Sequence, residues 1–157
     1  MSKRREGRET AIQLLFSRDF TPPGASHEVA AFFDIHNAAP TIRQHATELY
    51  HGVVANLEAI DHLLASCLEN FSLSRLAGID RNVLRLAIYE MFHRSDVPPI
   101  VVINEAIEIS KRFGTPDSGR FVNGVLDRLK RDLTRDLRQV PNSKPPAAPD
   151  APADAPE

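Results

Sequence analysis

Lys3, Arg4, Arg5 and Arg8 crowd the first turns of a helical pattern. Cations in that arrangement neutralise phosphates, and aromatic rings beside them can stack on unpaired bases. Phe16 and Phe121 are the candidate rings, each at the margin of an apolar stripe. Margin positions also suit plain core packing, and a short charge run also suits a solvated helix end. The residues alone leave both pairs of readings open.

Other chemistry finds little support. There is no Gly-rich phosphate loop, no Gly-x-Ser-x-Gly and no His-Glu-x-x-His. The six histidines lack zinc-ligand spacing, and His62 and Cys67 are five apart, off a common helical face. No metal or cofactor is expected. Glu105 and Glu108 form an i, i+3 carboxylate pair, but Lys111 and Arg112 stand within helical reach of Glu108. That pattern describes a solvated charged face better than an acid–base pair. The residue types therefore point away from an enzyme.

Length and charge set the frame. The 157 residues suffice for one conventional core. A single cysteine, Cys67, permits no internal disulfide and fits a reducing, cytoplasmic setting. Met-Ser-Lys-Arg-Arg-Glu leads into no apolar signal region, and no run is long enough to span a bilayer. Net charge is only −2, yet it is unevenly spread. Residues 1–20 and 120–138 hold 11 Lys/Arg against 6 Asp/Glu, whereas residues 21–119 hold 7 against 12. If the terminal helices lie side by side, they make one positive face on a nearly neutral molecule.

The elements that must position these residues read as helices throughout. The first covers residues 3 to about 18, with Ala11, Ile12 and Leu15 as its apolar side; Arg4 and Arg8 share that line, and Arg5, Glu9, Gln13 and Phe16 form the adjacent row. Ser26 can cap a short helix ending near Ile35. Pro40 opens a long pattern through Leu68, with a kink expected at Gly52. The stretch from Gly78 is apolar around most of its circumference, which predicts a central helix, and Asp80 fits its N-cap or first turn. Pro98-Pro99 announces the next helix, with Val102, Ile103, Ala106, Ile107, Ser110 and Phe113 inward and Gly114 as its stop. Thr115-Pro116-Asp117-Ser118 reads as N-cap, N1, N2 and N3 of the last, whose stripe is Val122, Val125, Leu126, Leu129 and Leu133. Gly124 inside it suggests a close-packed backbone. Residues 139–157 hold six of the twelve prolines and predict a disordered tail behind a domain spanning 1–138.

Three ordered motifs carry a resemblance: Asp80-Arg-x-x-Leu-Arg-x-Ala-x-Tyr-Glu, Pro98-x-x-Val-x-Ile-Asn-Glu-Ala-x-Glu running to Lys111-Arg112-Phe113, and Phe121-Val-Asn-Gly-Val-Leu. Together they resemble the NusB family of bacterial transcription antitermination factors, over residues 3 to 133. The resemblance implies an all-α, compact bundle of about seven helices. It implies a non-enzymatic adaptor that binds the single-stranded boxA sequence of ribosomal RNA transcripts jointly with NusE, ribosomal small-subunit protein ten. Other Nus factors and RNA polymerase would be reached indirectly, and no membrane is involved. The RNA-facing set it implies is Arg4, Arg5, Arg8, Gln13, Phe16, Asp117, Ser118, Phe121 and Asn123, with Asp80 near the partner contact. Glu6 stands in a run that is usually more basic, and Phe16 replaces a commoner Tyr. Both departures imply weaker RNA affinity or greater dependence on the partner. The same fold also opens certain ribosomal RNA cytosine methyltransferases, but there a catalytic domain follows, whereas here the expected continuation is a Pro/Ala tail. A protein-only scaffold is the third reading.

Overall fold

The computed structural model describes residues 2–22, 29–68 and 72–139. Among them it contains seven α-helices and no strand: α1 Lys3–Asp19, α2 Val29–Ile35, α3 Pro40–Ala55, α4 Leu57–Ser66, α5 Gly78–His93, α6 Pro99–Phe113 and α7 Ser118–Gln139. A 3₁₀ turn, Leu73–Arg75, precedes α5. Ser26, Phe71, the Leu133 side chain and residues 140–157 lie outside the described residues.

Helix α5 is the axis. Val83, Leu84, Leu86, Ala87 and Ile88 are all buried, so it has no solvent face of its own over these turns. Helices α1, α3, α4, α6 and α7 all pack against it, as its apolar circumference predicts. Helix α1 contributes Ala11, Ile12, Leu14 and Leu15 and lies chiefly on α3. Phe33 anchors α2, with the Arg43 guanidinium of α3 4.7 Å from its ring centre. Asp80 sits in the first turn of α5, whereas the N-cap position is Ala77.

Three expectations change in the structure. The long pattern from Pro40 breaks at Asn56, not Gly52, because the Asn56 side chain donates to the Gly52 carbonyl at 2.8 Å and competes with helix propagation. Gly52 instead makes room for Tyr89, whose ring occupies the space a Cβ would need. Gly124 faces open space, with nothing near a would-be Cβ, so no backbone packs there. On α6 the inward row includes Ile109, while Phe113 is 38 % exposed, because the helix ends before its last turn is covered.

A polar joint that no local pattern announces ties α1 and α4 to α5. Asp19 accepts from Asn82 Nδ2 at 2.8 Å, Arg81 Nη2 at 3.1 Å and Arg85 Nη1 at 3.2 Å, while Arg85 makes a two-pronged contact with Asp61 at 2.8 and 2.9 Å. Burial pushes the Asp19 carboxyl up, but hydrogen bonds from Asn82 and Arg81 outweigh it and hold the group below its ordinary value. A carboxyl depressed in the folded state contributes stability above its unfolded pKa, and that contribution is lost as pH falls through the folded pKa. Asp19→Asn is therefore expected to cost about 2 kcal/mol at pH 7, given what hydrogen bonds to a charged group are worth. Urea unfolding across pH 2–7 should show the wild-type advantage disappearing in acid; a constant difference would remove Asp19 as the cause.

Candidate nucleic-acid interface

The N-terminal end of α1 is built to hold charge. Ser2 caps it, accepting from the Arg5 backbone N–H at 3.1 Å, and Glu6 lies in the first turn. Lys3 and Arg4 are exposed. Arg5 is partly exposed and grips Glu105 of α6 with both prongs, Nε to Oε1 at 2.8 Å and Nη2 to Oε2 at 2.7 Å. The Arg5 hydrogen bond holds the Glu105 carboxyl below the usual range against the opposing effect of burial. The same contact raises the Arg5 guanidinium.

Arg8 has a different fate. It is 4 % exposed and meets Glu90 of α5, itself 2 % exposed, through Nε at 2.8 Å and Nη2 at 3.0 Å. Its Nη1 also lies 3.7 Å from Glu105. The guanidinium is thus enclosed between α1, α5 and α6, and a phosphate has no path to it in this arrangement. The next residue, Glu9, receives Arg112 of α6 at 3.2 Å; burial pushes this carboxyl up and the Arg112 charge draws it partly back. Lys111 reaches Glu108 at 3.4 Å, the pairing expected from their spacing.

The terminal helices are therefore not a bare side-by-side pair. Helix α6 bonds to α1 through these ion pairs and packs along α7. Two cations of the basic N-terminal end, Arg5 and Arg8, meet acids of the middle, Glu105 and Glu90, that are distant in sequence.

Gln13 is exposed on α1. Phe16, half-buried, lies against Gly78 at the start of α5, where an added Cβ would come within 2.5 Å of its ring. Phe20 meets Phe16 edge-on at 5.1 Å and is 72 % exposed, an aromatic that helical periodicity does not reveal because it falls after the last helical turn. Phe121 is half-buried and packs on the core from α7. Asp117 and Asn123 are exposed. Ser118 is buried: its Oγ accepts the Thr115 N–H at 2.9 Å and lies 3.2 Å from Thr115 Oγ1, the return half of a capping box. Gly114 is small for the same reason, since a Cβ there would run into Ser118. Asp80 is 9 % exposed, with Oδ1 lacking a hydrogen-bond partner among the described residues.

Sequence reasoning missed Glu90 and Glu105 as the arginines' partners. Glu90 carried a signal: a lone acid at the end of a helix buried all round needs a cation. Among the described residues no group of three or more His, Cys, Asp or Glu is placed to hold a metal ion, and no helix is long and apolar enough to cross a membrane.

The structure is an all-α bundle with the exposed cations Lys3 and Arg4 at the start of α1 and the Phe16–Phe20 ring pair at the far end of the same helix. The NusB family model matches residues 5–131, and the chain belongs to the NusB family. It is 43 % identical over 141 residues to transcription antitermination protein NusB of Geotalea daltonii, covering 85 % of this chain and 97 % of that protein. With the Desulfosudis oleivorans NusB protein it shares 44 % identity over 146 residues, 91 % and 95 % of the two chains. Among solved structures, T. maritima NusB superposes with a TM-score of 0.73 at 39 % identity, covering 84 % of this chain and 92 % of that one. A chain from the complex of antitermination factors NusB and NusE with dsRNA gives 0.69 at 28 % identity, covering 84 % and 98 %.

Proposed function

We propose that this protein is a non-enzymatic, cytoplasmic antitermination factor that binds boxA of nascent ribosomal RNA together with NusE and so supports processive transcription of ribosomal RNA operons. Similarity to NusB proteins along almost their whole length carries the reading. A related chain in a complex with NusE and RNA supports both partners.

The roles we assign to the nine RNA-facing candidates follow their exposure. Arg4 and Arg5 supply phosphate attraction, joined by Lys3. Phe16 and Phe121, both half-buried, are the rings on which a base would stack, and Gln13, Asp117 and Asn123 offer polar groups for base edges. Arg8 and Ser118 are buried; they act by holding α1 on α5 and by shaping the start of α7. The partner contact is assigned to the surface around the start of α5, where Asp80 is only 9 % exposed.

Fluorescence anisotropy tests this with labelled single-stranded boxA-like RNA, a scrambled strand and a duplex, each with and without NusE and at two salt concentrations. Selective binding of the boxA strand, strengthened by NusE, is expected. Equal, salt-sensitive binding to all three, indifferent to NusE, would reduce the surface to a generic polyanion site.

A further inference from the structure

We propose that Glu105 sets the affinity and ionic-strength dependence of RNA binding by occupying the guanidinium fork of Arg5, so that the wild-type protein binds RNA phosphates less tightly than its arginines allow. The inference rests on the reading of α1 as an RNA-binding helix.

Arg5 offers five N–H donors in a rigid fork, and the edge best suited to a phosphate is the one that presents two parallel bonds. Glu105 holds such an edge, at 2.8 and 2.7 Å. It also stands 3.7 Å from Arg8 Nη1, so one carboxylate faces two of the helix's arginines. A phosphate approaching Arg5 must displace Glu105 or settle on the remaining donors with a like charge beside it. Both routes lower affinity, and neither depends on RNA sequence.

The pair is not deeply buried: the side chains of Arg5 and Glu105 retain 33 % and 18 % of their exposure. Arg5 is thus reachable and its competitor partly solvated, unlike Arg8 and Glu90 behind it at 5 % and 2 %. Neighbouring cations on α6 do not supply a substitute. Arg112 is engaged by Glu9 and Lys111 by Glu108, so freeing Arg5 adds one cation beside the exposed Lys3 and Arg4.

Glu105→Gln separates charge from shape, since the amide oxygen can still accept from Arg5 while the negative charge is gone. The full chain with NusE should bind boxA-like RNA about fivefold more tightly at 0.1 M salt, the worth of a partly exposed ion pair of about 1 kcal/mol. The plot of log K against log salt should steepen by about 0.7, one further phosphate on a single strand. Glu105→Ala should change affinity in the same direction, covering the case of a Gln variant with altered packing. In the Arg5→Gln background, Glu105→Gln should lose most of its effect. Unchanged or weaker binding by both Glu105 variants, with circular dichroism melts showing them folded, would overturn the inference and make Glu105 a support that orients Arg5. A folded wild type that binds no RNA with NusE present would instead overturn the RNA reading on which it rests.

Discussion

Replacing Arg8 with alanine is expected to lower the unfolding free energy by about 3–5 kcal/mol, because it strands the Glu90 carboxylate inside the bundle. Both side chains lie almost wholly out of water, at 5 % and 2 % exposure, and both prongs of the guanidinium are used. Their surroundings are largely apolar: Ile12, Val83, Leu86, Val102 and Ile109 line the small gap beside the pair, with His45 and Arg94 among the other ionisable groups that feel the Glu90 charge. At the sensitivity usual for a domain of this length, the loss corresponds to a melting temperature lower by about 10 °C. Urea unfolding followed by helical circular dichroism measures it. Replacing both partners together, Arg8→Met with Glu90→Leu, should recover most of the loss, since a well-packed apolar pair can match a buried ion pair. A single-variant cost under about 1 kcal/mol would mean that water reaches the pair, at the level of an exposed bridge, and would return Arg8 to the set of phosphate contacts.

The fate of Arg8 shows where periodicity is informative and where a charge run misleads. Arg8 lies three, four and seven residues before Ala11, Ile12 and Leu15, so the spacing that makes those residues core also turns Arg8 inward. Counting it among solvent-facing cations follows the charge run instead of the helical phase. The all-α fold, the central position of α5 and the Thr115–Ser118 start signal are legible because each rests on local pattern. The break at Asn56 is not, since a single side-chain hydrogen bond to Gly52 decides it. Nor is the pairing of Arg5 and Arg8 with acids of the middle. Glu90 and Glu105 lie 82 and 100 residues from the arginines they meet, and one-dimensional charge counts carry no information on such pairings. Asp19 with Arg81 and Arg85, 62 and 66 residues away, is the same case with the signs reversed.

Removing the three outward cations of α1 together, Lys3→Gln, Arg4→Gln and Arg5→Gln, should have the largest effect on RNA binding and little on stability. Each phosphate neutralised on a single strand contributes about 0.7 to the salt slope, and Arg5 is already taken by Glu105, so the triple variant should flatten it by about 1.4, the share of Lys3 and Arg4. At 0.1 M salt the same relation places the affinity loss at about 25-fold. The sequence-independent nature of phosphate contacts makes a second demand: boxA-like and scrambled strands should weaken by the same factor, leaving their ratio unchanged. With Arg5 gone, Glu105 has no guanidinium fork left to occupy. Adding Glu105→Gln to the triple variant should therefore restore no more than about twofold, the small repulsion a partly solvated carboxylate still exerts on a nearby phosphate. Arg8→Ala, measured per folded molecule, should leave the slope near its wild-type value. A triple variant with an undiminished slope would place the phosphate contacts elsewhere, with the exposed Arg120 and Arg131 on α7 the next cations to remove.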